Sequence, residues 1–375
     1  MSSTIKRSLV EESMTKKKQP VAVMCFSSGT GGMERSAVRL AEILSAISDV
    51  TLVCKQDSFV EKLYDAGDYP FRCETVNFWS RTFSLSMLFG VRAIINNFRI
   101  NNVIFFGASE LKTLYFSFLG RDLNVTVWHG TTKSRAKRDV LHQLIYSCVN
   151  YHVAISEHLA RNVKEIVPVS DRIIYRVVRP SFNFSDDQLL NNKNIDNKCV
   201  NIVHIGRVAS GKGQIDAVLA CRGLYNEGVV FSLKIIGGND GSEYLNELKK
   251  VIDGLPYKDS IYLEGFVEDV SLYLKDADVF LFPSLGEGMP NAFIEALHHD
   301  VVCVAYDNTV FPEFLDMGFY VHLVKNKDVD ALSVKLHDVV AVIEDEKLKS
   351  KVNVELSKNY FSTEREVSEW SDILR

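Results

Sequence analysis

Paired cysteines are missing from this 375-residue chain: its seven cysteines (Cys25, Cys54, Cys73, Cys148, Cys199, Cys221 and Cys303) never form a Cys-x-x-Cys pair, and several stand inside apolar runs. That spacing excludes a zinc ribbon or disulfide scaffold and fits small buried thiols in a reducing compartment. No apolar run approaches the ~18 residues of a membrane-spanning helix. The first 20 residues carry charge, Lys16-Lys17-Lys18 included, and lack the apolar stretch of a signal peptide. Residues 1–19 therefore read as a loose polar tail, and the expected location is the cytoplasm. There is no Walker-type Gly-Lys-Ser/Thr, no His/Cys/carboxylate cluster at metal-ligand spacing and no nucleic-acid-binding motif. The expectation is a protein with no metal, no resident cofactor and no nucleic acid partner.

Hydrophobic residues make up 46% of the chain and charged residues 24%, a composition that packs a core and does not stay disordered. A single core stops growing below this length, so two domains are expected. The net charge of −5 hides an asymmetry. Residues 1–180 carry 24 Lys and Arg against 16 Asp and Glu, a net of +8, and residues 181–375 carry 19 against 32, a net of −13. A basic half joined to an acidic half points the first toward an anionic surface or an anionic acceptor.

Short β-branched or aromatic runs alternate with longer amphipathic segments throughout. Val21 to Phe26, Val50 to Cys54, Val103 to Phe106, Val125 to Trp128 and His152 to Ile155 read as strands, with helices over Glu34 to Ser45 and Leu85 to Asn97. Periodicity fails near Arg179 to Lys198, where Pro180 and Asn183, Asn191, Asn192 and Asn194 mark a linker. It restarts with Val200 to Ile205, Phe231 to Ile236, Ser260 to Glu264, Val279 to Phe282 and Val301 to Ala305. The βαβα order implies two α/β, doubly wound domains, each with a parallel sheet under helices. The expected boundaries are 20–180 for the first domain, 181–199 for the linker and 200–356 for the second. A C-terminal helix within 357–375 is expected to pack back on the first. Ligands of such folds collect at the carboxyl ends of the strands, here in a cleft between the two sheets.

Three glycine-containing segments follow predicted strands. Gly29-Thr30-Gly31-Gly32-Met33-Glu34 opens a helix, but a dinucleotide loop would need a third glycine where Glu34 stands. An ordinary strand-to-helix turn and an anion-binding turn remain equally open there. Gly206-Arg207 and Gly211-Lys212-Gly213 place two cations at a strand end beside a helix start, where a diphosphate would be held. The strongest segment runs from Pro283 to Glu295. Its glycine-containing loop leads to Pro290 near the first helical position, with Gly288, Met289 and Asn291 around it, Glu287 before the helix and Glu295 inside it. A glycosidase would also use two carboxylates, but it would not need a phosphate-type helix start between them. His129-Gly130 ends another strand, and structural and functional readings of His129 are balanced. Asp276-Ala277-Asp278 and Asp328-Val329-Asp330 lie at helix boundaries and read as caps or solvated acids.

Together these segments resemble the retaining glycosyltransferases of family 4, similar to bacterial lipopolysaccharide and capsule sugar transferases. The matching pieces are Gly31 to Arg35, Gly206-Arg207 with Lys212-Gly213, Ala277 to Ser284, and Glu287 with Glu295. The resemblance implies the GT-B fold of two facing Rossmann-like domains and a nucleotide-sugar donor, UDP-linked by expectation, with a hexose or N-acetylhexosamine as its sugar. Glu295 would bind the ribose, Arg207 and Lys212 the diphosphate, and Glu287 the sugar hydroxyls. The backbone of Gly288 to Asn291 would complete those contacts. Gly31, Gly32 and His129 would close the site from the first domain, and Gly265-Phe266-Val267 would lie along the base. Transfer would retain configuration and need no metal. Where the family carries glycines before Pro312-Glu313, this chain has Val310-Phe311, which leaves the donor sugar open.

On the acceptor side, Phe78, Trp79, Phe83, Leu85, Met87, Leu88 and Phe89 are flanked by Arg81 and Arg92, and Lys133, Arg135, Lys137 and Arg138 follow. Such basic and apolar stretches either pack in a core or rest on an anionic bilayer. The expected acceptor is a glycan or lipid-linked glycan of the cell envelope, lipopolysaccharide core included, at the cytoplasmic membrane face. A nucleotide-sugar epimerase of the same fold, a catalytically inactive binding module and a nicotinamide oxidoreductase are the alternatives.

Overall fold

The computed structural model describes residues 19–80, 84–107, 109–168, 170–182, 184, 199–239, 241 and 243–374. The polar tail up to residue 18, most of the predicted linker, and Arg81 and Phe83 lie outside the described residues. Two compact units divide the chain: Met1–Pro180 with Thr363–Arg375, and Ser181–Ser362.

The first unit holds seven strands, β1 (Gln19–Cys25), β2 (Ser48–Lys55), β3 (Arg72–Val76), β4 (Asn102–Phe106), β5 (Asn124–His129), β6 (Tyr151–Ala154) and β7 (Ile174–Val177). They are parallel, in the order β3-β2-β1-β4-β5-β6-β7. Alternation along β1 separates two cores. Ala22, Met24 and Phe26 face one, with Val91 and Leu114, and Val21, Val23 and Cys25 face the other, with Ala37, Leu40 and Leu44. Burial on both faces explains the near-continuous apolar runs that mark these strands in the sequence.

Helix α1 (Gly32–Ser45) follows β1, and α2 (Phe59–Asp65), α3 (Leu85–Asn97), α4 (Leu111–Phe118), α5 (Val140–Tyr146) and α6 (Glu157–Ile166) follow β2 to β6 in turn. Ser58, Ser84, Asp139 and Ser156 cap α2, α3, α5 and α6, each side-chain oxygen accepting a backbone N–H inside its helix. The last helix of the chain, Thr363–Ile373, belongs to this unit. Its Trp370 and Ile373 join the core beneath α1, and Glu366 takes both terminal nitrogens of Arg39 at 2.8 and 2.9 Å.

The second unit repeats the plan with β8 (Val200–Ile205), β9 (Phe231–Ile236), β10 (Ile261–Gly265), β11 (Val279–Phe282), β12 (Val302–Asp307) and β13 (His322–Lys325). All six are parallel, in the order β10-β9-β8-β11-β12-β13. Between these strands, in chain order, come α7 (Gln214–Ala220), α8 (Arg222–Asn226), α9 (Glu243–Asp253), α10 (Ser271–Asp276), α11 (Asn291–His298) and α12 (Phe311–Asp316). Val279 and Leu281 face an aliphatic core with Ile202, Leu233, Val302 and Leu336. Phe280 and Phe282 face the other way, against Phe293 and Phe311.

In both sheets the order reverses between the first strand and the fourth. At such a switch point the two flanking loops turn to opposite faces and leave a crevice at the carboxyl ends. In the second unit that crevice lies between the ends of β8 and β11; in the first it lies between those of β1 and β4.

Candidate functional site

β8 runs into Gly206-Arg207, a single turn over Ser210–Lys212, and α7. Gly213 joins turn to helix at φ +74°, where a Cβ would stand 1.9 Å from the carbonyl oxygen of Pro283. Only glycine fits there, and the two loops of the switch point close on each other through it. His204, wholly buried, donates from Nε2 to the Lys212 carbonyl at 2.9 Å, and burial lowers its pKa to about 4, so it is neutral. Buried Gln214 donates to the Arg207 carbonyl at 3.0 Å. The main chain that carries Arg207 and Lys212 is therefore fixed by buried polar side chains.

The β11 loop supplies the carboxylate. Glu287 Oε1 lies 2.7 Å from Lys212 Nζ and 2.7 Å from Ser284 Oγ, and the Glu287 N–H donates to Thr309 Oγ1 at 3.0 Å. Three strand ends, those of β8, β11 and β12, thus converge on Glu287, and its Oε1 is taken. The Arg207 guanidinium is exposed and makes no ion pair with the described residues. Helix α11 opens beside this loop. Its cap is Pro290, one position earlier than the sequence placed that residue, because Pro290 is extended at ψ 105° and the helix begins at Asn291. The first N–H groups of a helix have no partner within it and carry its positive pole.

Glu295 sits one turn into α11, half-buried. Its backbone carbonyl accepts from His299, while its carboxylate has no partner among the described residues. Burial, with Asp269 adding to it, raises its pKa to about 6. An unpaired carboxylate at this depth suits hydroxyl donors of a ligand.

Gly265 ends β10 and its carbonyl accepts from the Gly237 N–H at 2.7 Å. Phe266 beside it is 77% exposed, and Val267 is half-buried. Gly237 escaped the sequence reading although its φ of +153° and a 2.1 Å approach to the Gly206 carbonyl demand glycine. Ser284, Thr309 and Gln214 were missed for another reason: they are common polar residues whose role shows only in the folded loops, Ser284 and Gln214 through local contacts and Thr309 through the strand set beside β11. Val310 and Phe311, the departure from the family pattern, are buried, and Thr309 takes the place beside Glu287.

The Asp-x-Asp pairs are structural. Asp278 accepts from the Asn201 N–H and pairs with Lys347, Asp328 caps the helix Val329–Ala341, and Asp330 pairs with Arg222. Among the described residues, no group of three or more His, Cys, Asp or Glu side chains is placed to hold a metal ion.

In the first unit, Gly31 caps α1, and its N–H donates to Glu34 Oε2 at 3.0 Å. Gly31 and Gly32 are exposed. A cavity of ≈ 200 Å³ lies beside them, lined by Ser28, Thr30, Lys55, Gln56, Asp57, Ser58, Phe59 and Lys62. His129 ends β5 but is 1% exposed, and its ring nitrogens face His152 at 2.8 Å and Lys133 at 2.7 Å. Burial, with Lys133 and the neighbouring His152 adding to it, holds its pKa well below the usual value, so the ring is neutral.

The predicted apolar stretch is split by the fold. Phe78 and Met87 are core, whereas Trp79, Leu85 and Phe89 are exposed. No helix among the described residues is long and apolar enough to cross a membrane.

Comparison with known proteins bears on the family and the fold. The family described as "Glycosyl transferases group 1" matches residues 185–354. The amylovoran biosynthesis glycosyltransferase AmsK of Erwinia amylovora is 31% identical over 183 residues, which cover 45% of this chain and 43% of AmsK. The chain thus spans less than half the length of the curated relatives it matches. Among solved structures, a glycosyltransferase from Rickettsia africae ESF-5 superposes with a TM-score of 0.80 at 16% identity, covering 96% of this chain and 98% of the other. Anabaena Alr3699/HepE, solved with UDP and glucose, superposes with a TM-score of 0.74 at 14% identity, covering 96% and 99%. The fold is GT-B.

Proposed function

We propose that this chain, whose residues 185–354 belong to the group 1 glycosyl transferases, transfers a sugar from a nucleotide-diphosphate donor to a cell-envelope polysaccharide. The observation that carries the reading is the switch point of the second unit, where Lys212 holds Glu287, exposed Arg207 follows the same strand β8, and unpaired Glu295 lies in α11, the helix that follows the Glu287 loop. Glu295 accepts the ribose hydroxyls. Arg207, Lys212 and the helix start at Asn291 hold the diphosphate and stabilise it as it leaves, the part a metal plays elsewhere. Glu287, held on Oε1 by Lys212 and Ser284, offers Oε2 to the donor sugar. Transfer retains anomeric configuration, the acceptor attacking on the face that the diphosphate leaves.

UDP is the proposed nucleotide, supported by its presence in HepE. A biosynthetic glycan acceptor is supported by the amylovoran biosynthesis for which AmsK is named; lipopolysaccharide core is one such acceptor within the proposal. Protein expected in the cytoplasm would meet a lipid-linked acceptor at an anionic bilayer, through exposed Trp79, Leu85 and Phe89 on the basic first unit.

Nucleotide sugars, UDP-glucose and UDP-N-acetylglucosamine among them, should raise the thermal midpoint by mass action, and labelled sugar should pass to an added envelope glycan. Glu295→Ala should remove the protection. A donor that binds but yields only an epimerised nucleotide sugar would replace transferase with epimerase.

A further inference from the structure

The loop after β5 is built around a lysine. The Lys133 N–H donates to Asn162 Oδ1 at 2.8 Å, Asn162 Nδ2 donates back to the Lys133 carbonyl at 2.9 Å, and the Lys137 N–H donates to the Ile166 carbonyl at 2.8 Å. These bonds fasten the loop to α6 through its main chain. The Lys133 side chain is not needed for that, and its Nζ instead lies 2.7 Å from His129 Nδ1.

Donor and acceptor roles follow from the lysine. An ammonium only donates, so His129 Nδ1 accepts and its proton sits on Nε2. That N–H donates to His152 Nδ1 at 2.8 Å, which leaves the His152 proton on Nε2, buried and unpartnered. The rings of Tyr146 and Tyr175 pack against His152, and their hydroxyls are buried without partners too. Burial drives the His152 pKa to about 3, so both imidazoles are neutral. Among the described residues no carboxylate joins the Lys133–His129–His152 chain of hydrogen bonds.

Lys133 forms no ion pair with the described residues, and burial, then the charge of Lys137, lowers its pKa to about 8. Lys137 in turn feels Lys112, at the start of α4, with Glu110 as the opposing charge. Lys133 and Lys137 share the loop after β5, and Lys112 stands in the first turn of the helix after the neighbouring strand β4. A half-buried cation held by neutral imidazoles, among like charges, is a site that an anion completes.

We propose that Lys133, with Lys137 and Lys112, forms a subsite for an oxyanion of the acceptor, a phosphate or a uronate carboxylate, and that His129 and His152 are its positioning residues. That the anion belongs to an acceptor rests on the transferase reading, but the subsite stands in the first unit alone.

Isothermal titration tests it on the full chain carrying Arg207→Ala and Lys212→Ala, so that the donor cations do not compete. Inorganic phosphate and free glucuronate are the probes, and the tighter one identifies the acceptor group. Binding is expected to persist in that background and to weaken by about tenfold or more with Lys133→Gln, as expected for loss of a charge-assisted hydrogen bond, while Lys133→Arg keeps most of it. Phosphate should also shift the ring ¹⁵N resonances of His129, which a merely structural lysine would not transmit. Unchanged affinity in Lys133→Gln, or no binding of either probe, overturns the subsite. Neither result touches the donor reading, which nucleotide-sugar protection of the unaltered chain tests separately.

Discussion

Lys212 Nζ lies 2.7 Å from Oε1 of Glu287, a residue 75 positions later, with side chains 27% and 11% exposed. Two loops at one switch point thus share a cation and a carboxylate, and neither side chain reaches its place without the other loop. Lys212→Ala and Glu287→Ala should each lower turnover by ~100-fold, the scale for losing one group that stabilises developing charge. The double variant should lose far less than the product of the two, because the residues act as a unit. The partly exposed pair contributes on the order of 1 kcal/mol to stability. Steady-state kinetics and urea unfolding check both parts, and full turnover in either single variant would remove the pair from the mechanism.

Glu295 titrates near 6 in the fold and near 4.5 when free. Between those values the folded chain binds the extra proton, so stability from this group is present below pH 4.5 and is lost as pH rises to 6. Above that the ionised carboxylate costs about 2 kcal/mol at 1.36 kcal/mol per unit. Glu295→Gln should therefore raise the unfolding midpoint at pH 7 while it weakens donor binding. Donor affinity of the unaltered chain should fall as pH drops through 6, since the ionised form accepts the ribose hydroxyls. A pH series of nucleotide-sugar titrations shows it, and a flat profile from pH 5 to 7.5 would count against the ribose role.

Central strands were legible and three of the four outermost strands were not; the fourth, Ile261–Gly265, matches the predicted Ser260 to Glu264 to within one residue. Val200–Ile205, Phe231–Ile236 and Val279–Phe282 match the predicted runs at both ends: Val279–Phe282 is buried on both faces and continuously apolar, and apolar residues dominate the other two although Asn201, His204, Ser232 and Lys234 interrupt them. Arg72–Val76, Ile174–Val177 and His322–Lys325 were unpredicted, and each is an outermost strand with half-exposed residues. The site divides along similar lines. Arg207, Lys212, Glu287 and Glu295 could be read because glycines and a helix start flank them in sequence. Thr309 could not, since its contact with Glu287 arises only when β11 and β12 pair, and Ser284, three residues before Glu287, is a common polar residue whose turn toward that carboxylate only the loop conformation shows. The sequence placed His129 at a strand end correctly, but only the fold reveals that Lys133 and His152 occupy its two nitrogens.

Arg39 and Glu366 form a two-point ion pair, and the glutamate is 3% exposed on its side chain. Replacing Arg39 with alanine takes the guanidinium away from that buried carboxylate, which costs ~3 kcal/mol in comparable pairs. The first unit should then unfold at lower urea than the second, splitting the transition. Arg39→Ala with Glu366→Leu should recover much of the loss, because the buried charge goes with its partner. Unfolding followed at Trp370, which packs in the same core, measures both.

The last prediction concerns the cost of keeping Lys133 where it is. Its pKa falls from 10.5 to about 8 on folding, so between those values the unfolded chain binds the extra proton and stability rises with pH. Below pH 8 the half-buried ammonium is a burden of about 3 kcal/mol. Lys133→Met keeps the length of the side chain and removes the charge, so it should raise the unfolding midpoint at pH 7 and give a smaller gain at pH 10. The same variant should lose acceptor-dependent transfer. A residue retained against stability in this way is one whose charge is used, and a variant that is neither stabilised at pH 7 nor impaired in transfer would show that it is not.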